Sequence, residues 1–157
     1  MENNINMVYY FGQDILSSPK IKQLDQYKHH RTTTIYYHSL AVADLSLFYA
    51  NFIEKWFNIH ADRFSLVRGA LLHDYFLYDW HTSSSKFHGI KHPKIAYENA
   101  LKDFELNKIE ANIIRRHMFP LTLIPPRYKE SILICIADKW VAIKELTKKE
   151  NIIYERI

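Results

Sequence analysis

A few polar residues interrupt otherwise apolar helical stripes, and their types suit metal binding. His38 stands three, four or seven residues from Ile35, Ala41, Val42 and Leu45, the spacing of one helix face. His73 follows Leu66, Gly69 and Ala70 in the same way, with Asp74 beside it at the expected helix end. His117 follows Ile113 and Ile114 by four and three residues, and Asp138 shares a face with Ile134, Cys135, Val141 and Ala142. His92 sits where another helix should begin. A buried carboxylate is costly unless it is paired or bound to a metal. Taken singly, each histidine reads first as a hydrogen-bonded core residue, Asp138 as half of an ion pair or a ligand, and Asp74 as a helix-terminal residue. As a set they fall on different helices or helix ends, and one divalent metal site would satisfy them all.

Composition narrows the chemistry. The 157 residues hold nine His, three Gly and one Cys. One Cys excludes an intramolecular disulfide framework and a CxxC zinc site. Three scattered Gly exclude a Gly-rich phosphate loop and a GxGxxG fingerprint. Imidazole is the commonest protein metal ligand, so the surplus of His points the same way as the spacing. Net charge is +4, compatible with an anionic substrate. No Lys/Arg run exceeds two residues, so nucleic acid is not expected as a partner. The segment Met1–Met7 is polar and unlike a signal peptide. No apolar run approaches the roughly 18 residues that span a bilayer. The expectation is a cytoplasmic protein with no membrane partner.

The elements that must position these residues read as helices. An apolar pattern runs from Thr33 to Phe57 and includes Phe48, Phe52 and Trp56. Ala61–Leu72 follows, with Asp62 as its N-cap. A helix over Pro93–Phe104 is expected to start with Pro93 at its first position and His92 at the cap. Asn107-x-x-Glu110 opens the next with a capping box, and Tyr128–Leu146 is the last. Ser17-Ser18-Pro19 marks a turn in the leading segment. Strand signals are poor. Together these predict an all-α fold: one domain over residues 1–157, a helical bundle of about five to seven helices. Its core spans about 33–146, with a short N-terminal extension and a C-terminal tail.

Three pieces, Tyr37-His38-Ser39-Leu40-Ala41-Val42-Ala43, Gly69-Ala70-Leu71-Leu72-His73-Asp74 and Ala137-Asp138-Lys139, resemble the H…HD…D signature of the HD superfamily of metal-dependent phosphohydrolases. The resemblance covers about Thr33 to Leu146. His92 and His117 occupy the places where binuclear members carry two further ligands. The resemblance implies one ion held by His38, His73, Asp74 and Asp138, and a second held by Asp74, His92 and His117. Such mixed imidazole and carboxylate ligands suit Fe or Mn foremost, with Zn, Co or Ni as alternatives. His117 is followed by Met118-Phe119-Pro120 rather than Gly-Tyr-Pro, which departs from the HD-GYP phosphodiesterases. Leu77 stands where many HD phosphatases and oxygenases carry a Lys three residues after the Asp.

The implied function is hydrolysis of a phosphomonoester or phosphodiester, in a nucleotide or another small phosphate ester, by a metal-activated hydroxide. The alternatives are a mixed-valent diiron oxygenase of the HD type and a non-catalytic HD module that binds a nucleotide. Asp74 and Asp79 are the catalytic candidates, the latter as an acid for the leaving group or as a group that orients a ligand. His81, Lys86 and His88, on the polar stretch 79–91 with Lys91, are candidates for binding substrate. Each reads equally as a solvated loop residue. The pair His29-His30 is left open, His60 reads as a surface residue, and Cys135 as a small core residue.

Overall fold

A computed structural model describes residues 4–30, 33–77 and 88–147 of the chain, with the backbone alone at His30, His88 and Gly89. The elements in order are α1 (Asn4–Phe11), α2 (Gln13–Leu16), α3 (Pro19–Gln23), a 3-10 turn (Leu24–Gln26), strands β1 (Lys28–His30) and β2 (Thr33–Thr34), α4 (Ile35–Phe57), α5 (Arg63–Leu72), α6 (His88–Asp103), α7 (Lys108–Arg116) and α8 (Lys129–Thr147). The fold is all-α, with one two-stranded antiparallel ribbon among the described residues. Strands of two and three residues are too short to carry an alternating pattern, so this ribbon left no trace in the sequence. No helix among the described residues is long and apolar enough to cross a membrane.

α5 is the central helix. Every residue from Ser65 to Leu72 is buried, which marks an element packed on all sides. Its start is set by Asp62, whose carboxylate accepts the Ser65 N–H at 3.1 Å and the Ser65 hydroxyl at 2.6 Å. Glu130, at the start of α8, accepts the Asp62 N–H at 2.8 Å. Arg68 is buried in mid-helix and fully engaged. Its Nε donates to Glu110 at 2.7 Å, its Nη2 to the Glu105 carbonyl at 2.9 Å, and its Nη1 pairs with Asp14. Gly69 has no side chain because α7 leaves no room for one. A methyl group there would lie 2.5 Å from Ile113 Cδ1.

α4 begins at Thr34, whose hydroxyl accepts the Tyr37 N–H at 3.5 Å. It ends at Asn58, which adopts φ 54°, a left-handed stop that Asn tolerates. Its first half buries Ile35 and His38 to Ala43. Phe48, Phe52 and Trp56, expected on the apolar face, are exposed. Ser46, Leu47 and Ala50 take the inner face there, and positions two residues away lie about 200° around a helix. Glu130 meets the α4–α5 turn, and Glu145, near the other end of α8, meets His38 near the start of α4. The two long helices therefore run antiparallel.

α7 opens with the expected capping box: Asn107 Oδ1 accepts the Glu110 N–H, and Glu110 accepts the Asn107 N–H, both at 2.9 Å. α6 differs from expectation. It starts at His88, so Pro93 lies inside the helix and His92 is helical rather than a cap. Only N–H groups beyond the first turn have helical partners, so a proline this close to the start removes one hydrogen bond at most. The leading segment is more than an extension. α1 to α3 and the 3-10 turn bury Val8, Ile15, Leu16, Ile21 and Leu24 in the core, and the chain breaks at Ser17-Ser18 before Pro19 as expected.

Candidate metal centre

Two helices end at the centre in the same way. His73 is the C-cap of α5 and His117 the C-cap of α7. Each folds back on its own helix: His73 Nδ1 bonds the Ala70 carbonyl at 2.6 Å, and His117 Nδ1 bonds the Ile114 carbonyl at 2.9 Å. Because a carbonyl only accepts, Nδ1 must carry the proton. In the neutral ring the lone pair then sits on Nε2, the tautomer a metal ligand needs. The carbonyl ends of both helices carry partial negative charge, which favours cations. Asp74 follows His73 directly, α6 supplies His92, α4 supplies His38 and α8 supplies Asp138.

These six side chains converge as two donor groups, and Asp74 belongs to both. In the first, Asp138 Oδ1 is 3.2 Å from His38 Nε2 and 3.7 Å from His73 Nε2. Asp74 Oδ2 lies 3.5 Å from His73 Nε2 and 3.9 Å from His38 Nε2. In the second, Asp74 Oδ1 is 3.2 Å from His92 Nε2 and 3.4 Å from His117 Nε2. The two Nε2 atoms of that group are 2.8 Å apart. Donors bound about 2.1 Å from one ion stand roughly 3.0–3.4 Å from each other; Asp74, His92 and His117 come close to that, and His38, His73 and Asp74 also cluster closely enough to hold an ion, with Asp138 against both histidines. Asp74 could serve two ions, one through each oxygen.

Two buried atoms test that fit. Among the described residues, His73 Nε2 and Asp74 Oδ1 have no hydrogen-bond partner, although imidazole and carboxylate atoms lie within 3.2–3.7 Å of them. Leaving a buried polar atom unsatisfied costs about 1–3 kcal/mol. A cation between the donors would satisfy both. The donor set of imidazole and carboxylate is also one that first-row divalent metals accept.

The charges are consistent with a cation at this place. Burial alone would raise the carboxyl of Asp74, but the surrounding imidazoles, His73 foremost, hold it well below the usual range. Asp138 is likewise held down against burial by His38 and His73. Burial would lower His38, yet its bonds to Asp138 and Glu145 hold it up at about 9. Burial lowers His117, and the neighbouring His73 and His92 add to that against Asp74.

Two further residues reach the centre. Glu145 lies 3.1 and 3.2 Å from His38 Nδ1 through its two oxygens. His29, from β1, places Nε2 3.0 Å from Asp74 Oδ2 and Nδ1 3.5 Å from Glu145, and stacks on His38 with centroids 3.8 Å apart. In the sequence His29 stands out only as one of a pair. Glu145 carries a usable signal, since it lies seven residues, two helical turns, beyond Asp138.

The remaining candidates divide. Asp79, His81 and Lys86 lie outside the described residues, and His88 opens α6 with its side chain also outside them. Lys91 is exposed beside His92 on α6, and Leu77 packs partly buried against the core. His60 is exposed and bonds Glu54 at 2.7 Å. Cys135 is buried, and burial pushes its thiol up to about 11.

No curated protein and no solved structure matches the chain significantly. A family model, the HD domain, matches residues 35–143. That span, well over half of the chain, begins at the first residue of α4 and reaches into the last turns of α8, and it contains all six converging side chains. With its histidines and aspartates gathered in the order His38, His73-Asp74, His92, His117 and Asp138, the chain belongs to the HD domain family.

Proposed function

We propose that the protein is a metal-dependent phosphohydrolase that acts on a nucleotide or another small phosphate ester. HD domains are in general metal-dependent phosphohydrolases. The observation that carries this reading is the division of Asp74, with Oδ2 facing His38 and His73 and Oδ1 facing His92 and His117. Such a carboxylate suits a pair of ions side by side, the arrangement that clamps a phosphoryl group.

In this reading His38, His73, Asp74 and Asp138 hold one ion, and Asp74, His92 and His117 hold the second. Iron or manganese fits the donor set best. When bound, the ions supply Lewis acidity toward phosphoryl oxygens and make water acidic enough to ionise near neutral pH. The chain's own part is positional. His73 and His117 are pinned by their helix carbonyls, so their Nε2 atoms need no reorganisation to meet a cation. Asp74 and Asp138 stay ionised at any ordinary pH. Lys91, exposed next to His92 in sequence, is a candidate to attract a phosphate. The chain from Tyr78 to Phe87 joins two elements that each carry a centre residue. That connection supports Asp79 as the group that protonates the leaving oxygen, and His81, Lys86 and His88 as substrate contacts.

The test is phosphate release from a panel of nucleotides and small phosphate esters, by protein loaded with Mn(II) or Fe(II). Asp74→Ala should abolish release from whichever ester is cleaved. Dioxygen consumption without phosphate release, by iron-loaded protein, would replace this reading with an oxygenase.

A further inference from the structure

We infer that Glu145 is a positioning residue for the first donor group, acting on it along two routes, through His38 and through His29. This rests on the reading of the six converging side chains as a two-ion centre, and it concerns a carboxylate that has no place among those six.

The first route is direct. Nε2 of His38 faces Asp138 Oδ1 at 3.2 Å, and Nδ1 faces both oxygens of Glu145 at 3.1 and 3.2 Å. His73 and His117 are fixed at Nδ1 by carbonyls of their own helices. At His38 a side chain from α8 takes that part. A carboxylate behind a ligating imidazole sets the ring's tautomer and orientation and makes Nε2 a better donor. The second route passes through the ribbon. His29 meets Glu145 at 3.5 Å through Nδ1 and Asp74 Oδ2 at 3.0 Å through Nε2. Asp74 Oδ2 is the oxygen that faces the first group, not the second. Both routes from Glu145 therefore end on that group.

The side chains of His29, His38 and Glu145 also stand close enough together to form a donor cluster of their own. An ion there would have to bind His38 at Nδ1 while Nε2 serves the first group, which strips both protons from the ring. A hydrogen bond from Nδ1–H to Glu145 keeps one proton and leaves Nε2 open. The positioning role is the chemically simpler use of the same three side chains. Glu145 is only 1% exposed at its side chain, so the bond is shielded from competing water.

The experiment is stepwise Zn(II) titration against a competing chelator, with the metal-free melting temperature measured in parallel. The unmodified chain should bind two ions in resolvable steps. Glu145→Ala should weaken one step by about 10–100-fold and leave the other within about twofold. Glu145→Gln keeps an amide oxygen that can accept the Nδ1–H, and should restore most of that step. His29→Ala should weaken the same step by a smaller factor. Unchanged binding in both Glu145 variants would overturn the inference, and so would an equal fall in both steps. A third ion lost in Glu145→Ala would also overturn it, in favour of a separate site. If Glu145→Ala does not fold, Glu145→Gln and His29→Ala carry the test alone, and selective weakening of one step is still required. Fewer than two ions on the unmodified chain would instead strike at the two-ion reading itself.

Discussion

Nε2 of His92 and Nε2 of His117 stand 2.8 Å apart, and both face the same oxygen of Asp74. Two imidazole nitrogens that close either share a proton or share a cation. Burial and the neighbouring imidazoles hold His117 below its ordinary range, which favours the cation. Elemental analysis should therefore find two ions per chain after loading. His92→Ala should lose one and keep the other. Asp74→Ala, which removes a donor from both groups, should lose both.

Metal uptake should depend on pH through His38. Its pKa is held up at about 9 by Asp138 and Glu145 against burial, so in neutral solution an incoming ion must displace its proton. Apparent affinity should then rise about tenfold per pH unit up to about 9. The metal-free fold shows the opposite trend. A group raised from 6.5 to about 9 adds stability that is complete below 6.5 and fades as pH climbs through 9. Isothermal titration across roughly pH 6.5–9.5, with thermal melts of metal-free protein, reads both slopes.

Arg68→Ala should be among the most damaging substitutions far from the centre. It strands Glu110, whose side chain is 1% exposed, as a buried charge without its partner. Breaking a buried pair from one side costs about 3–5 kcal/mol. Denaturant unfolding should show the loss. Asn107→Ala is the milder comparison: it removes the cap and the amide's bond to the Ser65 hydroxyl at 2.8 Å, strands no charge, and should cost about 1–2 kcal/mol.

Cys135 should be chemically quiet. Burial pushes its thiol to about 11, far from the thiolate a nucleophile requires. Its Sγ donates to the Arg116 carbonyl at 3.3 Å. Iodoacetamide at neutral pH should leave the native protein unlabelled, and Cys135→Ala should keep both metal content and any phosphate release.

The helices and their caps are readable because their signals are local. Asp62, Asn107 and Glu110 announce helix starts within four residues of sequence, and the structure uses all three. The convergence of His38, His73, Asp74, His92, His117 and Asp138 is readable because polar residues on apolar stripes have few other destinations. What escapes is non-local. Phe48, Phe52 and Trp56 fit an apolar face in sequence, but which face points inward is decided by the neighbouring helices. α6 starts earlier than expected, since Pro93 marks the usual first position of a helix but here lies within it. Glu145 is only half visible: its spacing of two turns from Asp138 marks its face, but nothing local marks its two histidine partners, 107 and 116 residues away.

Gly69 and Ile113 each lie four residues, one helical turn, ahead of the histidine that ends their helix. Where they touch, a hydrogen atom stands in place of a methyl group. That contact, with the Arg68–Glu110 and Asn107–Ser65 bonds between the same two helices, lets the two helix ends approach closely, and so bears on the gap between a donor on one side of Asp74 and a donor on the other. The separation of the two donor groups thus depends in part on volume behind them, at a position that contributes no donor atom. Variation at Gly69 and Ile113 could retune the distance while every histidine and aspartate stays the same.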